Sequence, residues 1–284
     1  MTYKSVVASR RGGPEVLQVI ENDLREPKPA EAQVRVLATS VGRTDVNYRY
    51  GYSPLAPKPP FVPGYEIVGV VEAVGAGVTR VSVGDRVAAL TGHGGYTEVI
   101  YLGQEHLVRV PPSLAPEDVA TLVLNYATAY QMLHRVAKAK AGDRMLVIGA
   151  SGGVGTALLE LGRLAGLEMF GVASGAKRGA VSALGAVAID YHTEDFVQAI
   201  RRVHPDGVDF VLDGVGGDSS GRSLAVLRRG GKLIGYAAPT GASSILVGLL
   251  KMALVNLLPN GKSAHFFGIS ALYARDKRPF MEDL

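Results

Sequence analysis

The chain is 284 residues long, 47% hydrophobic and free of cysteine, with a formal net charge of +4. Its length and apolar content suffice for two ordinary domains with separate cores, and the missing cysteines exclude disulfides, thiolate zinc sites and cysteine nucleophiles. The charge points to no nucleic-acid partner, because the basic pairs Arg10-Arg11, Arg201-Arg202 and Arg228-Arg229 are scattered through different segments. The start, Met1-Thr2-Tyr3-Lys4, shows no signal-peptide pattern. A soluble, cytoplasmic protein without a membrane span is the expectation.

Short β-like runs at 4–8, 16–20, 33–41, 67–74, 86–90 and 96–101 are separated by turns such as Gly12-Gly13-Pro14 and Gly75-Ala76-Gly77. Closely spaced strands with little helix predict a barrel-like β unit over 1–122. Between the third and fourth runs, Asn47, Tyr48, Arg49 and Tyr52 fall in a polar, aromatic stretch that reads as a loop. A helical pattern begins at Pro116 and continues in pieces to Ala139.

From Met145 the sequence reads Met-Leu-Val-Ile-Gly-Ala-Ser-Gly-Gly-Val-Gly, an apolar run that breaks into Gly149, Gly152, Gly153 and Gly155 before a helical pattern. That is a strand, a tight turn and a helix start. Glycine permits backbone angles closed to other residues, and a bare backbone lets a pyrophosphate approach the amides of the turn, those of Ser151 and Val154 included. Glycine-rich turns also join strands to helices for packing alone. The segments downstream favour the nucleotide: apolar runs at 168–173, 186–189, 208–212 and 232–236 alternate with helical stretches at 177–184, 194–203 and 218–229. The alternation predicts a parallel, doubly wound sheet over 123–270 that binds ligands outside the carboxyl ends of its strands.

Asp213-Gly214-Val215-Gly216-Gly217 and Gly235-Tyr236-Ala237 close the fourth and fifth strands, offering Gly214 and Tyr236 to a bound nucleotide; ordinary turn chemistry is the other reading. The apolar stretch 245–258 is interrupted by Lys251 and Asn256, is too short to cross a bilayer, and reads as a buried or interface helix. Residues 264–269 read as a sixth strand, an edge able to pair across a two-fold axis, so a homodimer is expected.

Pro63-Gly64-Tyr65-Glu66-Ile67-Val68-Gly69, Val74-Gly75, Val83-Gly84-Asp85-Arg86-Val87, Thr128-Ala129-Tyr130 and the glycines of 149–155, in that order, resemble the medium-chain dehydrogenase/reductase superfamily. Through 124–133 and 256–261 the sequence is most similar to its zinc-independent, zeta-crystallin-like quinone oxidoreductases, especially homologues of the synaptic-vesicle membrane protein. The resemblance implies an α/β architecture: a GroES-like β-barrel domain, a Rossmann domain, an active cleft between them, and a C-terminal segment that returns to the β domain. The chain ends Arg278-Pro279-Phe280-Met281-Glu282-Asp283-Leu284, which reads as the first turn of a helix. The return segment is therefore expected to be missing beyond its start at 271–284, and the β domain to be less stable than in a complete homologue.

A catalytic zinc needs three converging thiolate, imidazole or carboxylate ligands. Zinc alcohol dehydrogenases of the superfamily carry cysteine and histidine where this chain has Gly42 and Tyr65. His93, His106, His134, His192, His204 and His265 show no ligand-like pairing, so no metal is expected. Without a Lewis acid, hydride transfer suits quinones and α,β-unsaturated carbonyls, whose π systems already spread the developing charge. The end of the second strand, 172–178, lacks an acid for ribose hydroxyls and holds Lys177 and Arg178, which with Ser174 would receive a ribose 2′-phosphate. NADPH is thus favoured over NADH; the two bases also suit the solvated start of a helix. The resemblance adds Tyr191 beside the adenine.

On the substrate side, Asn47 or Tyr48 either hydrogen-bonds the substrate oxygen or packs on its own turn. Family members often carry Asn and Tyr where this chain has Gly42 and Asn47. Thr128 faces the nicotinamide by resemblance, its plain alternative being a satisfied helix hydroxyl. Tyr52, Tyr65 and Asn125 are expected to line the cleft, and Asp45 and Glu66 to be structural acids. The expected function is metal-independent hydride transfer from NADPH to a quinone or enone. The alternative is an NADPH-binding scaffold or interaction protein with little or no turnover.

Overall fold

The computed structural model describes residues 1–236, 242–259 and 261–284; Ala237 and Asn260, both part of segments singled out in the sequence, lie outside them. The chain folds into two compact units, Met1–Leu124 with Tyr273–Leu284, and Asn125–Leu272.

In the first unit β1 (Thr2–Ala8) and β2 (Leu17–Asp23) form an antiparallel ribbon. β3 (Glu31–Ala38), β4 (Glu66–Val74), β5 (Arg86–Leu90), β6 (Val99–Gly103) and β7 (Val108–Arg109) form an antiparallel sheet in the order β6-β3-β4-β5-β7. In β3, Ala32 and Val34 are buried while Arg35 is exposed, the period of a half-buried strand. They meet Ile67, Val71, Val87, Ala89 and Leu107 in one apolar core.

Two short helices follow the strands they leave, α1 (Arg43–Tyr50) and α2 (Pro116–Thr121). α1 corrects the sequence reading, which made a loop of Asn47, Tyr48 and Arg49. Asp45, at the third helical position, accepts the N–H of Gly42 at 2.8 Å, and Gly51 ends the helix in a left-handed conformation (φ 76°) with its N–H bonded to Tyr48 O at 3.0 Å. Caps at both ends hold a helix that its apolar pattern does not announce.

A π-helical turn at Leu122–Tyr126 carries the chain from the first unit into the second, where α3 (Ala127–Tyr130) and a further π-helical turn at Gln131–Ala137 follow. Strands and helices then alternate: β8 (Arg144–Ile148), α4 (Gly153–Leu164), β9 (Glu168–Ala173), α5 (Arg178–Ala183), β10 (Val187–Asp190), α6 (Phe196–Val203) and β11 (Val208–Asp213). α7 (Asp218–Val226), β12 (Leu227–Gly235), α8 (Ala242–Leu257) and β13 (Ser263–Phe266) complete the series. The six strands are parallel in the order β10-β9-β8-β11-β12-β13, the doubly wound sheet that the alternation predicts. Chain order reverses between β8 and β11, where open sheets of this kind take ligands. The strands are apolar throughout because both faces are covered: Leu146, Ile148, Phe170, Val172, Val211 and Leu233 pack with Phe196 and Ile200 of α6.

α8 is not the buried helix that one reading of 245–258 expected. Met252 and Val255 pack against the core, but Leu246, Leu250, Leu254 and Leu257 are exposed. Asn256 ties the helix to the edge strand by two hydrogen bonds with the backbone of Ala264, at 2.8 and 2.9 Å. β13 stops at Phe266, short of the predicted end, and α9 (Ile269–Arg275) and α10 (Arg278–Asp283) follow. Among the described residues no helix is long and apolar enough to cross a membrane.

The last residues belong to the first unit. Lys277 Nζ lies 3.0 Å from His106 Nε2, Tyr273 Oη lies 2.8 Å from His106 Nδ1, and Phe280 is buried edge-on to the Tyr273 ring. The segment that the sequence reads as the start of a return to the β domain thus already packs there.

Candidate functional site

The second unit presents backbone. After Ile148, Gly149 takes a left-handed conformation (φ 83°), and the N–H groups of Gly149 and Ala150 both donate to Val172 O. Gly152 N–H closes the turn on Gly149 O at 3.0 Å, and the first helical bond of α4 runs from Thr156 N–H to Gly152 O at 2.8 Å. The N–H groups of Ser151, Gly153, Val154 and Gly155 are left without an acceptor among the described residues. These are the orphan donors of a helix start, on a helix whose dipole favours an anion there. Gly155 is required for a different reason: a Cβ on it would come 2.3 Å from Gly149 O and 2.8 Å from Ala150 Cα, so the helix presses on the turn only without a side chain.

Asn125, expected to line the cleft, stands against this turn. Its amide nitrogen lies 2.7 Å from where a Cβ of Gly153 would be. Tyr126 Oη donates to Glu160 of α4, which fixes the π-helical turn to the same helix. Thr128 is buried, and its Oγ1 has no hydrogen-bond partner among the described residues. Among the described residues it is thus not the satisfied helix hydroxyl of the plain alternative, and a buried hydroxyl of this kind is uncommon.

At the end of β9, Ser174 opens a 3-10 turn that leads into α5. The side chains of Ser174, Lys177 and Arg178 have no hydrogen-bond or ion-pair partner among the described residues, and Tyr191 is exposed with its ring 4.2 Å from that of His192. Sequence reasoning missed one acid here. Asp190, at the end of β10, pairs in register with Ala173; Oδ1 accepts the His192 N–H at 3.0 Å, and Oδ2 lies 2.5 Å from a notional Cβ of Gly175. An acid absent from the second strand reaches its end from the third, a placement visible only once the strands are paired.

At the end of β11 the buried carboxylate of Asp213 accepts the N–H groups of Val215 and Gly216, each at 2.9 Å, and the Ser219 hydroxyl at 2.7 Å. Gly214 is not bare toward solvent: a Cβ there would meet Tyr236 Oη at 2.4 Å, so the glycine makes room for that phenol. Burial, with the charge of Asp213 adding, keeps Tyr236 protonated well above the ordinary tyrosine range.

The first unit presents side chains. Asp45 Oδ1 accepts Gly64 N–H at 2.9 Å in addition to the cap on Gly42, joining α1 to the approach of β4. Asp45 is thus a structural acid. Tyr48 and Tyr65 are buried with ring centroids 5.8 Å apart, and burial raises both phenols, leaving each a neutral donor at physiological pH. Tyr52 lies beyond the helix, exposed and stacked on Tyr50 at 5.2 Å. Arg11, unremarked in the sequence, donates to Tyr48 O and to Pro57 O, and so clamps the end of α1. No group of three or more His, Cys, Asp or Glu side chains among the described residues is placed to hold a metal.

Residues 28–112 match the alcohol dehydrogenase GroES-like domain, and residues 153–273 the domain described as zinc-binding dehydrogenase. The chain is 36% identical over 256 residues to the synaptic vesicle membrane protein VAT-1 homolog of Danio rerio, covering 88% of this chain and 51% of that protein. It is 33% identical over 247 residues to a 2-haloacrylate reductase of Burkholderia sp., covering 81% and 74%. The crystal structure of Escherichia coli quinone oxidoreductase complexed with NADPH matches with a TM-score of 0.85 at 27% identity, covering 100% of this chain and 85% of that one. The chain belongs to the medium-chain dehydrogenase/reductase superfamily of oxidoreductases, in its quinone oxidoreductase-like branch. It spans about half the length of the VAT-1 homolog it matches.

Proposed function

We propose that the protein is an NADPH-dependent reductase that delivers hydride, without a metal, to a quinone or an α,β-unsaturated carbonyl compound. The observation that carries this reading is the start of α4, where four amides lack acceptors at the carboxyl edge of the sheet. Those amides suit a pyrophosphate, the partnerless Lys177 and Arg178 suit a 2′-phosphate, and the unpartnered Thr128 hydroxyl suits a carboxamide. When bound, NADPH supplies the hydride. On this reading Tyr191 flanks the adenine, and Asn125, Ser151 and Ser174 add hydrogen bonds along the phosphates and ribose.

Tyr48 and Asn47 donate to the substrate oxygen, while Tyr65 and Tyr52 form the wall beside it. A conjugated electrophile spreads its developing charge, so neutral donors suffice and no Lewis acid is required. Support for metal independence comes from Gly42 and Tyr65, neither of which can ligate zinc as a thiolate or imidazole does. The relatives support both substrate classes: one is named a quinone oxidoreductase and another a 2-haloacrylate reductase. A homodimer belongs to this reading, since β13 pairs only with β12 among the described residues and the exposed leucines of α8 lie on the helix tied to that edge.

NADPH oxidation with a panel of ortho-quinones, para-quinones and enones, with NADH and chelator controls, tests the proposal. Saturable turnover that survives chelation supports it. Tight NADPH binding without turnover supports the scaffold alternative, for which the burial of Tyr48 is the favouring observation.

A further inference from the structure

We propose that Glu66 is a positioning residue of this site: a buried carboxyl that supports Tyr65 and Tyr48 while it holds a proton and disturbs them once the proton is lost. The catalytic consequence rests on the reductase reading; the structural part does not.

Glu66 follows Tyr65 directly and opens β4, with 1% of its surface exposed. Ser40 Oγ donates to its Oε1, and Thr39 Oγ1 donates to its backbone oxygen at 2.7 Å. Oε2 is buried and has no partner among the described residues. An anion at this position would leave a charged oxygen without a donor in a dry environment, which is far more costly than a neutral carboxyl in the same place. Asp45, 4% exposed, is treated differently by the fold, for both of its oxygens accept backbone N–H groups, from Gly42 and Gly64. Burial raises the Asp45 carboxyl as well, but there the Gly42 and Gly64 backbone N–H groups oppose it on both oxygens, whereas at Glu66 one oxygen is left bare, so of the two neighbouring acids Glu66 is the one that favours the proton.

Burial, opposed by hydrogen bonds from the Ser40 side chain and backbone and assisted by the charge of Asp45, pushes the Glu66 carboxyl from its ordinary 4.5 up to about 7. The groups that face it are Asp45 from α1, Tyr65 on the approach to β4 and Tyr96 on the approach to β6, with Arg49 acting on Tyr96. None of the facing carboxyl or phenol groups is a cation that would hold an anion at Glu66. Because the folded value lies above the unfolded one, the neutral carboxyl contributes stability below pH 4.5 that is lost as pH rises through about 7. Above that point two anions stand side by side, Oε2 of Glu66 has no donor among the described residues, and the new charge acts on Tyr65, whose ring packs on Tyr48. The proton leaves to solvent, and no bond is otherwise made or broken.

The test follows the glutamate carboxyl carbons by NMR in isotope-labelled protein across pH, with Glu66→Gln assigning the signal, beside the pH profile of NADPH oxidation with para-benzoquinone. The expected midpoint is about 7, with ring resonances of Tyr65 and Tyr48 moving at that midpoint in the wild type and staying fixed in Glu66→Gln. The wild-type kcat falls roughly tenfold on the alkaline side, while Glu66→Gln, which mimics the neutral carboxyl, stays within about twofold across the range. A carboxyl titrating in the ordinary glutamate range, or tyrosine shifts that persist in Glu66→Gln, overturns the proposal. Absence of turnover at every pH sinks the reductase reading, and the carboxyl and tyrosine titrations then decide on Glu66 alone. If Glu66→Gln fails to fold, Glu66→Asp assigns the signal and the wild-type midpoint decides.

Discussion

At the end of β8 the unpartnered groups are backbone amides, exposed by glycines and aimed by a helix start; around α1 and β4 the buried polar groups are side chains, Tyr48, Tyr65 and Glu66, each placed by several neighbours. The two regions fail in opposite ways. A backbone site is destroyed by adding atoms, because the turn has no room for them. A side-chain site is altered by removing an atom or a proton, because its geometry is held by hydrogen bonds and packing rather than by the course of the chain.

The largest effect tests the backbone region. Gly155→Val must fit its Cβ where Gly149 O stands 2.3 Å away. Strain of about 3 kcal/mol and a loss of NADPH affinity of roughly two orders of magnitude are expected, read by thermal unfolding and fluorescence titration. An unchanged dissociation constant would remove the turn from the binding site. Next comes the pair Lys177→Ala with Arg178→Ala, where NADPH binding should weaken roughly 30-fold and NADH binding should hardly change. Equal losses for the two cofactors would mean that the bases only decorate α5.

A smaller change sharpens the contrast between stability and function. Thr128→Val removes a hydroxyl that has no partner among the described residues, so the melting temperature should hold or rise, while kcat/KM falls about tenfold. A fall in stability instead would show that the hydroxyl is satisfied within the fold. The smallest effect lies in the first unit, at the C-terminal segment. With Lys277 donating to Nε2, the neutral His106 ring keeps its proton on Nδ1 and donates to Tyr273 Oη. Burial first, then the neighbouring Lys277 charge, lowers His106 from 6.5, so its contribution is whole above that pH and is lost as pH falls through the lowered value. Hydrogen exchange in 273–284 should quicken on acidification, while the strands of the second unit keep their protection.

Much of the second unit was legible because its signals are local. Strands such as Glu168–Ala173 are unbroken apolar runs, the glycines of 149–155 mark the turn, and alternation with helices names the sheet. The first unit's strands were legible for the same reason. Its α1 was not, since the helix rests on Asp45 and Gly51 as caps rather than on an apolar stripe, and the tyrosines it carries were misread as loop residues. The exposure of α8 was equally hidden: an apolar helix reads the same whether its outer face is covered or open.

By itself the sequence determined the alternation of strands and helices in the second unit, the position of the glycine turn and the absence of cysteine, because each follows from spacing or from the chemistry of one residue. Tertiary structure alone decided that Asp190 reaches the end of β9, that Asn125 stands against Gly153, that Tyr236 fills the space above Gly214, and that Glu66 Oε2 is buried without a donor while both oxygens of Asp45 have one. Each of those depends on what a distant segment brings to within hydrogen-bonding distance, and a carboxyl group carries no mark in the chain of the donors it will find or lack.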